Sequence, residues 1–292
     1  MKVLVTGGTG LVGRYVVKGL LDAGYQVVVA GRHAPGEGCF SRPVGFVEYD
    51  LDRDADQSHI FDHAYYVVHA AFDHLAGRYR GGEGDDPLGF NRRNFENSVR
   101  LFEGARRAGV RRCVFFSSRA VYDGIDSGSP LAESVRLSPA SLYGQVKLSA
   151  ERALAELAAP GFVGASLRVT GVYGHMRPNK WDGIIDRYLA GETVSSRAGS
   201  EVHGQDVALA VRLMLESDAG KVSRQSFNVS DIVTDTHEIL SVVSQVVGCP
   251  HPLPAPSDLS LVAEMETVRL RSLGWRPGGR ALLEKTVRTL VG

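Results

Sequence analysis

The stretch Lys2 to Gly13 reads KVLVTGGTGLVG, and its reading decides the fold of this 292-residue chain. Up to Thr6 it is a short apolar run without polar alternation. Such a run describes a strand covered on both faces, as in a parallel sheet with helices above and below it. Gly7, Gly10 and Gly13 follow in GxxGxxG spacing and open the helical pattern LVGRYVVKGLLDAG. A tight turn calls for Gly7, close approach of a pyrophosphate for the missing side chain at Gly10, and helix-to-strand packing for Gly13. The phosphate charge would meet the positive end of the helix that begins here. The loop therefore reads as a dinucleotide cradle, with Thr9, Leu11 and Val12 contributing beside the glycines. An ordinary glycine-rich turn is the bland alternative, and the strand, turn and helix context speaks against it.

Outward from this loop the rhythm repeats. QVVVAGR, YYVVHAA and RCVFFSS are further buried-strand patterns, and a helical stretch runs from Asn91 to Ala108 before the last of them. Strand and helix alternating through the first two thirds predict the α/β class, a Rossmann-type doubly wound parallel sheet. The segment His74 to Gly89, HLAGRYRGGEGDDPLG, is rich in glycine and charge and reads as a flexible loop, either a lid or a solvated insertion. Beyond Gly174 the alternation weakens, and the proline cluster CPHPLPAPS, Cys249 to Ser257, marks an irregular connection. The expected organisation is a dinucleotide-binding domain over 1–173, rejoined by 203–230, with a small C-terminal substrate lobe from 174–202 and 231–292.

An NAD site places an acidic residue about 20 residues past the glycines, on the adenosine ribose. Here the second strand ends in Gly31, Arg32 and His33. A small residue followed by a guanidinium suits a ribose 2′-phosphate, so NADP is favoured and NAD is the alternative. A solvated loop arginine is the competing reading of Arg32. Asp50, at the end of FVEYDL, is a candidate for the adenine amine, although an exposed turn aspartate would look the same.

Two more stretches carry chemistry. VFFSSRAVYD supplies Ser118, and SPASLYGQVKLSAE supplies Tyr143 with Lys147 four residues on, which a helix puts on one face. A tyrosine hydroxyl titrates at about 10 in water and is a poor base at neutral pH until a neighbouring ammonium stabilises its phenolate. Lys147 could do that and also hold the nicotinamide ribose. Ser118 would donate to the substrate oxygen whose charge changes as hydride moves. YxxxK alone is common on solvated helix faces, but following the glycine loop and SSRAVY in this order it points to catalysis.

Composition narrows the partners. Lys+Arg and Asp+Glu both number 33, so no net field draws the chain to nucleic acid or to an anionic membrane, and a small-molecule ligand is expected. Cys39, Cys113 and Cys249 are far apart, with no His or Cys at metal-ligand spacing, so packing roles and no metal are expected. Met1 runs straight into the first strand without a signal-peptide pattern, and no stretch reaches the roughly 20 apolar residues of a membrane span. A cytoplasmic location is expected.

The ordered series TGGTGLVG, Asp50-Leu51, HAA at His69 to Ala71, Asn94, SSRAVY, YGQVK, LRVTGVYG, VHGQDVA and LGWRP resembles the extended short-chain dehydrogenase/reductase superfamily, in its NAD-dependent epimerase/dehydratase branch. The resemblance implies that Tyr143 is the acid/base, that Lys147 lowers its pKa and that Ser118 assists at the substrate hydroxyl. It places Asp50, Leu51, His69, Ala70, Ala71, Asn94 and Ser117 along the cofactor, although a structural role for Asn94 and His69 is as compatible with the residues alone. Members of this group often pair through the Tyr/Lys helix; a homodimer is compatible with the apolar face Leu148, Leu154 and Leu157, as is plain core packing.

Departures from the family pattern bear on the substrate. Arg119 and Ala120 stand where the dehydratases carry an Asp-Glu pair, which disfavours water removal. Gly171 stands where sugar-nucleotide epimerases place an Asn, and GSEV precedes His203 where they carry an Arg; Arg168, Arg177 or Lys180 could compensate. Arg119 could bind a substrate carboxylate or phosphate, or form a surface salt bridge. The resulting expectation is an NAD(P)-dependent oxidoreductase or epimerase acting on a hydroxyl or carbonyl of a sugar, a sugar nucleotide or a related small molecule. The alternatives are a net NADPH-dependent carbonyl reductase and a non-catalytic dinucleotide sensor.

Overall fold

The computed structural model describes residues 1–53, 56–75, 81–125 and 129–292. Among them the strands are β1 (Lys2–Thr6), β2 (Gln26–Gly31), β3 (Gly45–Glu48), β4 (Tyr66–His69), β5 (Arg112–Ser118), β6 (Val163–Val169), β7 (Gly171–Tyr173), β8 (Ala198–His203), β9 (Gln225–Val229) and β10 (Ile232–Asp235). The helices are α1 (Gly13–Asp22), α2 (Pro87–Asn91), α3 (Asn97–Arg107), α4 (Leu142–Leu157), α5 (Asp182–Leu189), α6 (Gly204–Glu216), α7 (Ala219–Val222), α8 (Thr236–Val247), α9 (Val268–Ser272) and α10 (Gly279–Val291).

Seven strands form a wholly parallel sheet in the order β3-β2-β1-β4-β5-β6-β9. The chain winds outward from β1 to β3, then returns to β4 on the other side of β1. This is the expected doubly wound Rossmann-type sheet, with its switch point between β1 and β4, where ligands of open α/β sheets bind at the carboxyl ends. Alternation along β1 explains why the strand is apolar throughout. Val3 and Val5 pack with Val16, Val17 and Leu20 of α1 and Val207 and Val211 of α6, while Leu4 points into the opposite layer with Leu101 and Phe102 of α3 and Leu154 of α4. Burying each such side chain contributes roughly 1.5–3 kcal/mol. Cys113 is buried in the second layer, where burial pushes its thiol up; Cys39 and Cys249 are half-buried, and all three are free.

A second sheet, β10-β8-β7, pairs β7 parallel and β10 antiparallel to β8. One side of it forms a separate core, in which Tyr173 and Trp181 stack at 4.9 Å beside Ile239, Leu240 and Val287. Because β7 belongs here, the chain leaves the large sheet at Thr170, ahead of the boundary expected after Tyr173. It returns through α6, which crosses α1 so closely that a Cβ on Gly19 would lie 2.6 Å from that of Ala208, and through β9. Trp275 of the LGWRP turn is fully buried in the layer that holds Val3 and Val5, and its indole donates to the Asp206 carbonyl at 2.8 Å.

The segment read as a loop from His74 to Gly89 ends sooner than expected. Helix α2 starts at Pro87 with Asp86 as its cap, accepting from Gly89 N–H at 2.8 Å, an arrangement that suits proline at the first helical position. Residues 76–80, on which the lid reading partly falls, lie outside the described residues. The helix expected from Asn91 to Ala108 is interrupted by a π-turn, Arg92–Glu96, before α3. The leucines weighed for subunit contact turn inward: Leu148 and Leu154 are buried in two different clusters and Leu157 packs against the second of these. Among the described residues no helix is long and apolar enough to cross a membrane.

Candidate active site

The glycine loop has the shape its sequence demands. Gly7 has φ of 69°, and a Cβ there would lie 2.7 Å from the Ala71 nitrogen. A Cβ on Gly13 would run into the Gly7 carbonyl oxygen, so the turn closes only on hydrogen. Gly10 meets nothing but that same oxygen, at 3.3 Å, and is exposed with Thr9 at the tip; Leu11 and Val12 are half-buried behind it. No side chain caps α1 at Val12, which leaves its amino end to an anion. The cradle thus fits a dinucleotide pyrophosphate. At the end of β2, Gly31 opens onto empty space and Arg32 is exposed. Asp50 accepts from the Asp52 N–H at 3.0 Å, and Leu51 is buried with its carbonyl accepting from Asn97.

Behind the cradle, His69 is fully buried and its ring joins β1 to α3. The hydrogen positions follow from its partners. The Ser98 hydroxyl donates to the Asn94 carbonyl at 2.7 Å, so at 2.9 Å it must accept from His69 Nε2–H. His69 Nδ1 is then the acceptor for the Thr6 hydroxyl at 2.7 Å, and Thr6 Oγ1 in turn accepts from the Ala71 N–H at 3.2 Å. This chain needs neutral imidazole. Burial, assisted by the Lys147 charge, pushes His69 down to about 3. His69 therefore fixes the Ala70–Ala71 turn beside Gly7.

Asn94 enters the interior from the π-turn. Its Oδ1 accepts from the Asp73 N–H at 2.7 Å, and its Nδ2 donates to the carbonyls of Asp73 at 2.8 Å and Phe90 at 3.1 Å. Both amide hydrogens are thereby taken, and the side chain holds backbone. Ser117 is buried on β5, and its hydroxyl has no protein partner among the described residues.

At the carboxyl end of β5 the Ser118 turn meets the helix that bears Tyr143 and Lys147. Ser118 ends the strand and caps the 3₁₀ turn Arg119–Tyr122, its oxygen accepting from the Ala120 N–H at 3.2 Å, which leaves the hydroxyl hydrogen to donate. Ser141 caps α4 by accepting from the Gly144 N–H at 3.2 Å. Gly144 lies so close to the Ala120 carbonyl that a Cβ would overlap it, and this contact sets the first turn of the Tyr/Lys helix against the serine turn. One turn on, Lys147 is buried and donates to the Phe116 carbonyl at 2.7 Å. Its ammonium lies 4.1 Å from the centroid of the Phe72 ring, 4.9 Å from that of Phe115 and 5.9 Å from that of Tyr143. Burial pushes Lys147 down to about 7, and Glu151, one turn along the helix, pulls it back up. The site thus holds an amine beside a tyrosine, and its charged form is the opposite charge that favours a phenolate.

The arginines and lysine weighed as substrate contacts have other work. Arg119 donates to the Ala263 carbonyl at 2.9 Å. Arg168 is buried against Glu151 at 2.8 Å, Arg177 pairs with Asp182 at 2.6 Å, and Lys180 pairs with Glu201 at 2.5 Å. Gly171 makes room for that last pair, since a Cβ there would lie 2.6 Å from Glu201 and 2.8 Å from Lys180. Sequence reading missed two residues, Phe72 and Glu151. An aromatic after a strand and a glutamate on a helix carry no signal until their neighbours are known.

Residues 3–230 match the model of the NAD dependent epimerase/dehydratase family. The UDP-glucose 4-epimerase of Bacillus subtilis is 30% identical over 216 residues, a match that takes in 70% of this chain but only 57% of that protein. The UDP-glucose 4-epimerase of Streptomyces lividans is 30% identical, with 94% of this chain and 91% of that protein covered. Among solved structures, the UDP-glucose 4-epimerase of Thermus thermophilus in complex with NAD superposes with a TM-score of 0.80 at 28% identity, covering 100% of this chain and 99% of that one.

Proposed function

Because the chain belongs to the NAD dependent epimerase/dehydratase family, we propose that it inverts a hydroxyl-bearing carbon of a sugar nucleotide, with Tyr143 as acid/base, Lys147 as its charge partner and Ser118 as donor to the substrate oxygen. The observation that carries this reading is the packing of the helix bearing Tyr143 and Lys147 against the Ser118 turn at the carboxyl end of β5, in a chain whose glycine loop fits a dinucleotide. Gly7, Gly10 and Gly13 with the amino end of α1 would hold the pyrophosphate, and Thr9, Leu11, Val12 and the His69–Ala71 turn would border it. A bound nicotinamide dinucleotide supplies the hydride-accepting and hydride-returning chemistry. Tyr143 takes the proton of the substrate hydroxyl as the carbon is oxidised and gives it back when the carbon is reduced from the other face. Ser118 donates to the same oxygen throughout, and Lys147 keeps the phenolate accessible near neutral pH. The relatives, named as UDP-glucose 4-epimerases, support a UDP-hexose as the substrate. Arg168, Arg177 and Lys180 pair with Glu151, Asp182 and Glu201, which argues against them as its diphosphate contacts. Incubation with UDP-glucose should yield its epimer without net change in reduced cofactor; steady accumulation of reduced cofactor would mean a dehydrogenase instead.

NAD, present in the solved relative, is the proposed cofactor. A second reading, net reduction of a carbonyl with NADPH, is favoured by one feature: β2 ends in an open Gly31 and an exposed Arg32 rather than in the acidic residue that an NAD ribose calls for. Calorimetry separates the two. The first reading expects NAD to bind more tightly than NADP, with Arg32→Asp leaving NAD affinity unchanged or improved. Tighter NADP binding, weakened about 10- to 100-fold in Arg32→Asp by loss of a charge-assisted phosphate contact, would establish the second.

A further inference from the structure

Phe72 follows the HAA turn and reaches both members of the Tyr143–Lys147 pair. Its ring meets that of Tyr143 edge to face, with centroids 5.1 Å apart and planes at 83°, and its centroid lies 4.1 Å from the Lys147 ammonium. Phe72 is itself held from two sides. The fully buried Phe90 ring packs against it at 5.5 Å, and the next peptide is gripped by Asn94, which accepts from Asp73 N–H and donates to Asp73 C=O. Asn94 reaches that peptide because the helix widens into a π-turn at Arg92–Glu96, a rare element that concentrates at functional sites. Arg93 of the same turn adds a 2.7 Å ion pair to the Asp73 carboxylate. Two side chains of the π-turn, Arg93 and Asn94, thus hold the residue after Phe72, while Phe90 of α2 packs on the Phe72 ring.

We infer that Phe72 is a positioning residue for the reaction: its π face holds the buried Lys147 ammonium charged, and its T-shaped contact holds the Tyr143 ring. This rests on the reading of Tyr143 and Lys147 as the acid/base pair. The surroundings of Lys147 explain why a ring is needed. From its own helix it faces Tyr143 and Glu151, whose carboxylate is committed to Arg168; from β5, the Phe116 carbonyl and the Phe115 ring; from β4, the neutral His69; and from the segment beyond, Phe72, Asp73 with its Arg93 partner, and His74. Burial works against the charge, and an aromatic face offsets part of that cost.

The test is an ultraviolet titration of the Tyr143 phenolate in the full-length chain, with Tyr143→Phe as the blank, alongside turnover of UDP-glucose. Phe72→Leu keeps water out but removes the π face. It should move the phenolate titration up by about one pH unit and lower neutral-pH turnover about tenfold, with KM within about twofold. Phe72→Tyr, which restores the face, should titrate like the unmodified protein. If Phe72→Leu is unstable, pentafluorophenylalanine at the same position keeps the shape, reverses the polarity of the face and should give the same upward shift. A phenolate titration unmoved by loss or reversal of the face reduces Phe72 to a wall of the site and overturns the inference. Full turnover in Tyr143→Phe would instead remove the acid/base reading on which it rests.

Discussion

Tyr143→Phe should lower turnover by about a thousandfold, while dinucleotide affinity stays within about twofold. The substitution deletes one oxygen and keeps the ring that packs at 5.1 Å on Phe72, so the walls of the site stay in place. What is lost is proton transfer, which positioned side chains typically accelerate by about 10²–10⁴-fold. Lys147 does not replace it: it is buried, and its Nζ is tied to the Phe116 carbonyl at 2.7 Å. Nor does Ser118, whose hydroxyl is placed to donate and has no base beside it among the described residues. The glycine cradle lies on the other side of the site and does not use the phenol, so calorimetric binding should be preserved. Stopped-flow or endpoint assays of epimer formation, with calorimetry on the same preparation, check both halves. Turnover within tenfold of the unmodified protein would move the acid/base role off Tyr143, and unchanged biological activity in the mutant would favour a sensor.

Much of this was legible because the relevant signals are local. Val3, Leu4 and Val5 are apolar in succession because the two faces of β1 are both covered, and that pattern is visible without coordinates. Gly13 is required by its contact with Gly7, six residues earlier, and Gly7 by the positive φ of the turn itself. Tyr143 and Lys147 share a helix face through spacing alone. Residues defined by distant partners were not legible. Arg168 looks like a free guanidinium until Glu151 is found 17 positions earlier on a neighbouring element. Asn94 looks like a ligand contact, and it becomes a clamp once Asp73 lies beside it. The π-turn at Arg92–Glu96 leaves an apolar periodicity close to that of an α-helix, so the stretch reads as one continuous helix. By contrast, the start of α2 was readable in principle, since Asp86 followed by Pro87 is a cap followed by a preferred first residue, but the glycine and charge around it outweighed the signal.

Glu151→Ala should destabilise the fold by about 3–5 kcal/mol, the cost found when one partner of a buried ion pair is removed and the other is left in the interior. The two side chains are 4% and 6% exposed, and the guanidinium meets the carboxylate through Nε at 3.0 Å and Nη2 at 2.8 Å. Burial alone would pull the Arg168 guanidinium down; its bonds and charge pairing with Glu151 hold it above its ordinary value. The pair is also the hub of a wider polar network. Arg168 donates to the Tyr122 hydroxyl at 2.9 Å, Tyr122 donates to Asn228 at 2.8 Å, and Asn228 donates to the carbonyls of Leu131 and Glu266 at 2.8 and 2.9 Å. Ser226 donates to Glu151 itself at 3.0 Å. Removing the carboxylate therefore strands a cation and a hydroxyl together, at the point where α4, β6 and β9 are tied to each other and to the serine turn. Against a typical margin of about 5–15 kcal/mol, the urea midpoint should fall by roughly a fifth or more. The double change Glu151→Leu with Arg168→Met should recover most of the loss, because apolar side chains of similar volume remove the buried charge together with its partner. A single mutant that unfolds at the unmodified midpoint would mean that water reaches Arg168, and would return that arginine to the set of groups free to meet a substrate.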